Sequence, residues 1–252
     1  RSMGRACLAE SINSAVNQAI ENIEIVVVDA LGKDHPELVW REYPANIRLI
    51  STGESLSRAA AANVGLSAAQ GDFLIFLDDD DLFLDGHLSG LRNTLNSHTE
   101  AIASYAGVRL IDIVGNELDV YNAPFNALNL IGNNVFPINA VLFRRASATD
   151  CIFDEGLDVY EDWDFWLQLI NKGSFIHHDA VTALYRVGLS QSGLNIFENE
   201  QLRSEGRNRI YQKWKNMWSG EELNAFIEIK LRELYNLKRQ LSEKEKIQER
   251  LK

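Results

Sequence analysis

Residues 71–88 read GDFLIFLDDDDLFLDGHL. An apolar run, residues 73–77, leads directly into four aspartates, Asp78, Asp79, Asp80 and Asp81. A short continuous apolar run of this kind predicts a strand buried on both faces, which belongs to a parallel sheet covered by helices. Four carboxylates at its tip repel one another unless something neutralises them. A cation is the obvious candidate, and a ligand is what such a cation would serve.

The flanking segments agree with a layered α/β chain. RACLAESINSAVNQAI sets Leu8, Ile12, Val16, Ala19 and Ile20 at helical spacing. IEIVVVDA (23–30) and IRLIS (47–51) are short strand-like runs, and SLSRAAAANVGLSAAQ (55–70) is alanine-rich behind serines suited to an N-cap. Helices are predicted over 86–98 and 161–173, the latter ended by Gly173, and strands over 101–112, 139–145 and 174–187. The alternation predicts a doubly wound, mostly parallel sheet whose ligands sit at the carboxyl ends of strands. Two such ends are acidic: Val28 runs into Asp29, and Leu77 into Asp78. The chain opens on a helix although α/β sheets usually begin with a strand, so a first strand is expected to be lacking from these residues.

From about Leu194 glycine becomes rare and charges of both signs interleave. This predicts a domain over 1–194 followed by a C-terminal helical extension or linker over 195–252. Ile227, Leu231, Leu234 and Leu241 fit a heptad seam, but Lys238 and Glu245 interrupt it, so a solvated helix is the simpler expectation. The net charge of −11 argues against a nucleic-acid binder and against docking on anionic lipid by charge alone. Cys7 and Cys151 form neither a metal motif nor a disulfide framework, which suits a reducing compartment. No apolar run approaches the roughly 18 residues that span a bilayer, and the N-terminus lacks a signal-peptide core. A cytoplasmic protein is expected, with peripheral association at the inner face of a membrane left open.

Two carboxylate clusters invite chemistry. Asp78 and Asp80, alternate residues of an extended backbone, would share one face and suit Mg²⁺ or Mn²⁺, with phosphates and water completing the shell. The plain alternative is an acidic loop capping the next helix, for which Asp85 is well placed. DVYEDWDFWLQL crowds Asp158, Glu161, Asp162 and Asp164 at a helix start, where dipole pairing and a general base are equally good explanations. Trp163, Phe165, Trp166 and Leu169 read as mostly core. Arg58 stands in a first helical turn, either holding an anion or simply exposed. His177 and His178 face opposite ways on a strand, so they do not readily chelate one metal together.

In order along the chain, LAESINSAVNQAIENIEIVVVD, RAAAANVGLSAAQGDFLIFLDDDD, FDEGLDVYEDWDFWLQLINKGSF and ALYRVGLSQSG resemble the motifs of family-2 glycosyltransferases, inverting enzymes that use nucleotide-sugars on a GT-A fold. The resemblance runs from about Arg5 to Gly193. It implies that Asp78 and Asp80 form a D-x-D, Asp80 contacting the metal and Asp78 the metal or ribose. It implies that Asp162 of the Glu161-Asp162 pair is the catalytic base, that Asp29 lies beside the nucleobase, and that Arg58 or Arg186 touches the diphosphate. Asn133, Asn134 and Asn139 become candidates for sugar hydroxyls, although asparagine also simply forms loops.

Three departures accompany the likeness. The family's first strand, with its P-x-Y-N-like turn, is absent or reduced to Arg1-Ser2-Met3-Gly4. An aspartate pair after the second strand is here Asp29-Ala30, and a histidine two residues after Tyr-Arg is here Gly188. The implied function is metal-dependent inverting transfer of a sugar, from a nucleoside-diphosphate-sugar donor to a hydroxyl on a glycan, lipid-linked or protein acceptor. Two alternatives stay open. One is a degenerate domain that assembles, with itself or with further domains, through its C-terminal helices. The other is a haloacid-dehalogenase-type phosphatase, which needs a D-x-D-x-T-like stretch where this chain places Leu82 after Asp81.

Overall fold

The computed structural model describes residues 1–18, 20–33, 46–188 and 200–250, with backbone alone for 245–250. Helix α1 (Leu8–Val16) precedes β1 (Ile25–Asp29), which pairs in parallel with β2 (Ile47–Ser51). Leu8 and Ile12 pack on Val27. Ser57 caps α2 (Arg58–Ala68) by accepting from the Ala60 N–H at 3.1 Å, as the sequence predicts. The small side chain of Ala61 brings α2 close to Val28.

A six-stranded sheet runs in the order β3 (Phe73–Leu74), β7 (Val141–Arg144), β5 (Ala101–Ile111), β8 (Ser174–Arg186) and β4 (Leu82–Phe83), with β6 (Glu117–Tyr121) also paired to β5. The β5/β8 ladder is parallel and long; the shorter pairings are antiparallel. Most paired residues therefore lie in parallel ladders. Leu91 and Leu95 of α3 (His87–Ser97) join Ala101, Ala106 and Leu142 in one core cluster. Helix α5 (Glu161–Ile170) fills the larger core with Trp163, Phe165, Trp166, Leu167 and Leu169. Phe153 stacks on Phe165 with ring centres 4.3 Å apart. The indole N–H groups of Trp163 and Trp166 donate to the carbonyls of Leu130 and Phe136, which commits both rings to the core.

The strand expected over 72–77 ladders only at β3, and residues 75–77 lie outside it. A cavity of about 430 Å³, lined by Val26, Val28, Leu66, Leu74 and Phe76, lies between β1 and this segment. Arg1 and Ser2 bridge its carboxyl end. Ser2 donates to the Val28 carbonyl at 2.8 Å and accepts from the Ala30 N–H at 2.9 Å, while the Arg1 nitrogen donates to the Leu77 carbonyl at 3.1 Å. The two acidic strand ends are thus fixed side by side.

Helix α6 (Glu200–Trp214) docks on α5. Asp164, which dipole pairing alone would leave at the surface, is fully buried. It accepts from Lys213 Nζ at 2.9 Å, Trp214 Nε1 at 2.8 Å and Gln168 Nε2 at 2.8 Å. Asp164→Ala removes charge-assisted bonds, one of them to a partly exposed lysine, and is expected to lower unfolding stability by roughly 2–3 kcal/mol in urea titrations. In α7 (Gly220–Arg250) the seam residues Ile227, Leu231, Leu234 and Leu241 are exposed. Ala19, residues 189–193 of the segment expected to close the site, and the boundary expected at 194/195 lie outside the described residues. Among the described residues no helix is long and apolar enough to cross a membrane.

Candidate active site

The acidic tip is a turn, closed by the Asp81 N–H donating to the Asp78 carbonyl at 3.2 Å. This corrects the flat D-x-D expected from an extended strand, because the backbone turns at these residues and the carboxylates meet partners from several elements. Asp78 Oδ2 meets Arg1 Nη2 at 3.1 Å and Arg58 Nη2 at 3.6 Å. Asp79 is buried against Arg5 and accepts from the Met3 N–H at 2.5 Å. Asp80 Oδ2 lies 3.1 Å from Arg5 Nη1, and Asp81 accepts from the Arg186 N–H at 3.0 Å. Guanidinium groups thus meet the repulsion at Asp78, Asp79 and Asp80, and a backbone N–H alone meets Asp81.

Compensation is uneven. Burial pushes Asp78 up, but Arg1 and Arg58 outweigh it and hold the carboxyl at about 2. Asp80 is raised by burial and by Asp78, against the pull of Arg5. Asp81 is raised well above the ordinary range by burial and by Asp78 and Asp80, and its Oδ2 is buried with no hydrogen-bond partner. Carboxylate oxygens are hard donors, and Asp80, whose charge Arg5 only partly offsets beside Asp78, has the chemistry that fits a divalent cation. Among the described residues no three ligating side chains converge, so Asp80 and Asp78 would supply a minority of its shell and phosphate or water the rest.

Arg58 links this turn to the second cluster, since its Nε also lies 2.8 Å from Glu161 Oε1. Burial disfavours its charge, yet Glu161, Asp78 and Asp162 keep it more firmly protonated than usual. Helix α5 begins after Tyr160, a non-glycine residue at φ 67°, a conformation that costs energy and concentrates at functional sites. Asp162 accepts from the Trp163 N–H at 2.8 Å and from Asn134 Nδ2 at 2.7 Å. Burial and the adjacent Glu161 charge push its carboxyl up to about 7, against Arg58. Asp162 lines a cavity of about 810 Å³ whose wall also includes Arg58, Asn133, Asn134, Tyr160, Tyr185, Arg203, Arg207 and Tyr211.

The remaining candidates fall as follows. Asp29 is fully buried; Oδ1 accepts from the Leu31 and Gly32 N–H groups at 3.0 Å and Oδ2 from Ser51 Oγ at 2.8 Å. Gly32 stands at φ 67°, and a Cβ there would lie 2.6 Å from Glu54 backbone atoms, so the loop beyond β1 requires glycine. Arg186 pairs with Glu10 at 2.8 Å and reaches the Asp80 carbonyl at 3.4 Å, beside the acidic turn. Asp158 is exposed. Asn139 is buried: its Nδ2 donates to the Leu184 carbonyl and its backbone carbonyl meets His87 Nε2, which places it in the core rather than on the cavity wall. His177 and His178 contact Asn122 and Thr94 respectively, as opposite-facing neighbours should. Sequence reasoning missed Arg1 and Arg5 as partners of the aspartates, and Arg203 and Arg207 as cavity residues. No local pattern distinguishes these arginines from surface ones.

Acidic strand ends at one edge of an α/β sheet are thus linked, through Arg58, to a half-buried carboxylate in a large cavity. Residues 4–134 match the family described as Glycosyl transferase family 2, and the chain belongs to that family. An uncharacterized glycosyltransferase of Haemophilus influenzae is 28% identical over 200 residues, covering 76% of this chain and 78% of that protein. Another, of Rickettsia conorii, is 30% identical over 193 residues, covering 70% of this chain but only 31% of that protein. The crystal structure of S. aureus TarS residues 1–349 has a TM-score of 0.60 at 19% identity, covering 73% of this chain and 57% of that one. Its complex with UDP-GlcNAc gives 0.61 at 17%, covering 88% and 75%. Membership of this family sets the phosphatase alternative aside.

Proposed function

We propose that the chain transfers a sugar from a nucleoside-diphosphate donor to an acceptor hydroxyl with inversion, using Asp162 as general base. The observation that carries this reading is Asp162 itself: a half-buried carboxylate with a raised pKa, held by Asn134, facing a roomy cavity and one arginine away from Asp78. The acceptor oxygen gives its proton to Asp162 and attacks the donor's C1, while the bond from C1 to the diphosphate oxygen breaks on the opposite face. Arg58 and Arg1 offset charge on the departing diphosphate, and Arg186 steadies the turn from its far side. Asp29 orders the loop that flanks the nucleobase. Glu161 keeps Arg58 in place between donor and base. Mn²⁺ or Mg²⁺, held by Asp80 and Asp78, would supply Lewis-acid stabilisation of the leaving group. Residues 1–194 form the catalytic unit, with α6 of the extension completing the cavity wall.

TarS has been crystallised with UDP-GlcNAc, so that compound is the first donor to test. The experiment is UDP release from a panel of UDP-sugars in Mn²⁺ with hydroxyl acceptors present. Release that requires both acceptor and Asp162 supports the reading; absence of release and of binding for every nucleotide-sugar overturns it.

The pH dependence has a definite sign. Asp162 must be ionised to accept a proton, so kcat is expected to rise with pH through about 7 and then level off. Stability moves the other way. The folded-state pKa lies above its ordinary 3.8, so the contribution of the protonated form is complete below that value and is lost as pH rises through about 7. Thermal melts of wild type and Asp162→Asn across this window are expected to diverge accordingly.

A further inference from the structure

We propose that two copies of this chain pair through α7, as an antiparallel pair of helices along its exposed apolar stripe. Ile227, Leu231, Leu234 and Leu241 recur every three, four or seven residues, and Tyr235 and Leu237 flank them on the same side. All six are between 47% and 67% exposed. The opposite side of the helix is already occupied. Ala225, Phe226 and Ile229 are half-buried, and Phe226 seats so closely on Gly132 that a Cβ there would run into its ring. Helix α7 is therefore apolar on two sides, and the described residues cover one of them.

From Leu231 to Lys244 every side chain is exposed, so this stretch stands clear of the body of the fold. Helices in proteins owe most of their stability to packing an apolar face, and a length of this order is marginal without it. A second copy of α7 supplies that packing, and three observations select it. The six side chains bare on the order of 700 Å², close to the roughly 800 Å² that each partner brings to a stable interface and above the few hundred Å² usual on a monomer. Residues 220–250 include seven acidic and seven basic side chains, so α7 is neutral in a chain of net charge −11. Two such helices meet without the repulsion that keeps other faces of the protein apart, and they offer no attraction to an anionic surface. The seam also accommodates its own interruption. In-register parallel pairing would set Lys238 against Lys238 of the other copy. Antiparallel pairing with Leu231 opposite Leu241 sets it against Leu234 instead, where its methylene stem covers apolar surface and its ammonium reaches water.

The test is sedimentation equilibrium of the full chain at tens of micromolar. A dimer that dissociates on dilution is expected. Leu231→Glu with Leu234→Glu is expected to sediment as a monomer, with the near-UV circular dichroism of the core around Trp163 and Trp166 unchanged. Should the two glutamates unfold α7, Lys238→Leu carries the test. It removes the interruption at an exposed position and is expected to tighten the dimer by about tenfold or more. A wild type that stays monomeric, or assembles as a trimer or larger, overturns the inference, and a monomer assigns the stripe to a different partner. A folded glutamate variant that remains dimeric, or a leucine variant with no gain in affinity, overturns it equally.

Discussion

Asp162→Asn is expected to lower kcat by about 10²–10⁴-fold while leaving the affinity for nucleoside diphosphate nearly unchanged. Asparagine has almost the same shape and can still receive the Trp163 N–H, so the start of α5 keeps its geometry. What disappears is the ability to take a proton from the acceptor. The substitution also removes a half-buried charge beside Glu161, so stability is expected to hold or rise while activity collapses. The limb of the pH–rate profile near 7 is expected to vanish with it. Stopped assays of UDP release with saturating donor check this, and full turnover by the variant on an accepted substrate would show that Asp162 is not the base.

Asp80→Ala is expected to separate two roles that the acidic turn combines. Loss of one carboxylate ligand weakens Mn²⁺-dependent donor binding by roughly tenfold to a hundredfold. In the absence of metal the same change removes a carboxylate whose pKa is already raised by Asp78 and burial, and Arg5 keeps its contact with Asp79. Metal-free UDP is therefore expected to bind the variant as well as, or better than, the wild type. Calorimetry of UDP with and without Mn²⁺ reads both numbers. Equal losses in the two conditions would make Asp80 a structural residue of the turn.

The long periodic elements were legible in the amino-acid sequence, and the reasons are physical. The Ser57 cap and the alanine run define α2, and the apolar spacing of Trp163, Phe165, Trp166 and Leu169 defines α5. β5 and β8 read as strands because they are long. β3 and β4 have only two laddered residues each, too few for any period to register, and β6 is short and exposed on both faces. The conformation of residues 78–81 was hidden for another reason. A run of identical residues carries no mark of where a turn closes, and the arginines that decide the matter, Arg1 and Arg5, are remote in sequence.

The carboxylates of the site were legible as residue types, but their partners were not. Asp164 and Asp162 stand two apart on one helix, yet Asp164 receives Lys213 and Trp214 while Asp162 receives Asn134 and faces a cavity. Only the docking of α6 distinguishes them. The same docking places Arg203 and Arg207, which are indistinguishable in sequence from the other charges of a solvated helix.

The central claim is a single displacement at the sugar carbon, with Asp162 on the acceptor side and the Arg58–Asp78 side facing the leaving group. Its most direct test is proton NMR of the glycoside formed early in the reaction from an α-linked UDP-sugar. The account predicts a β-linked product that fails to accumulate with Asp162→Asn. An α-linked product, formed at the same rate by that variant, would contradict it.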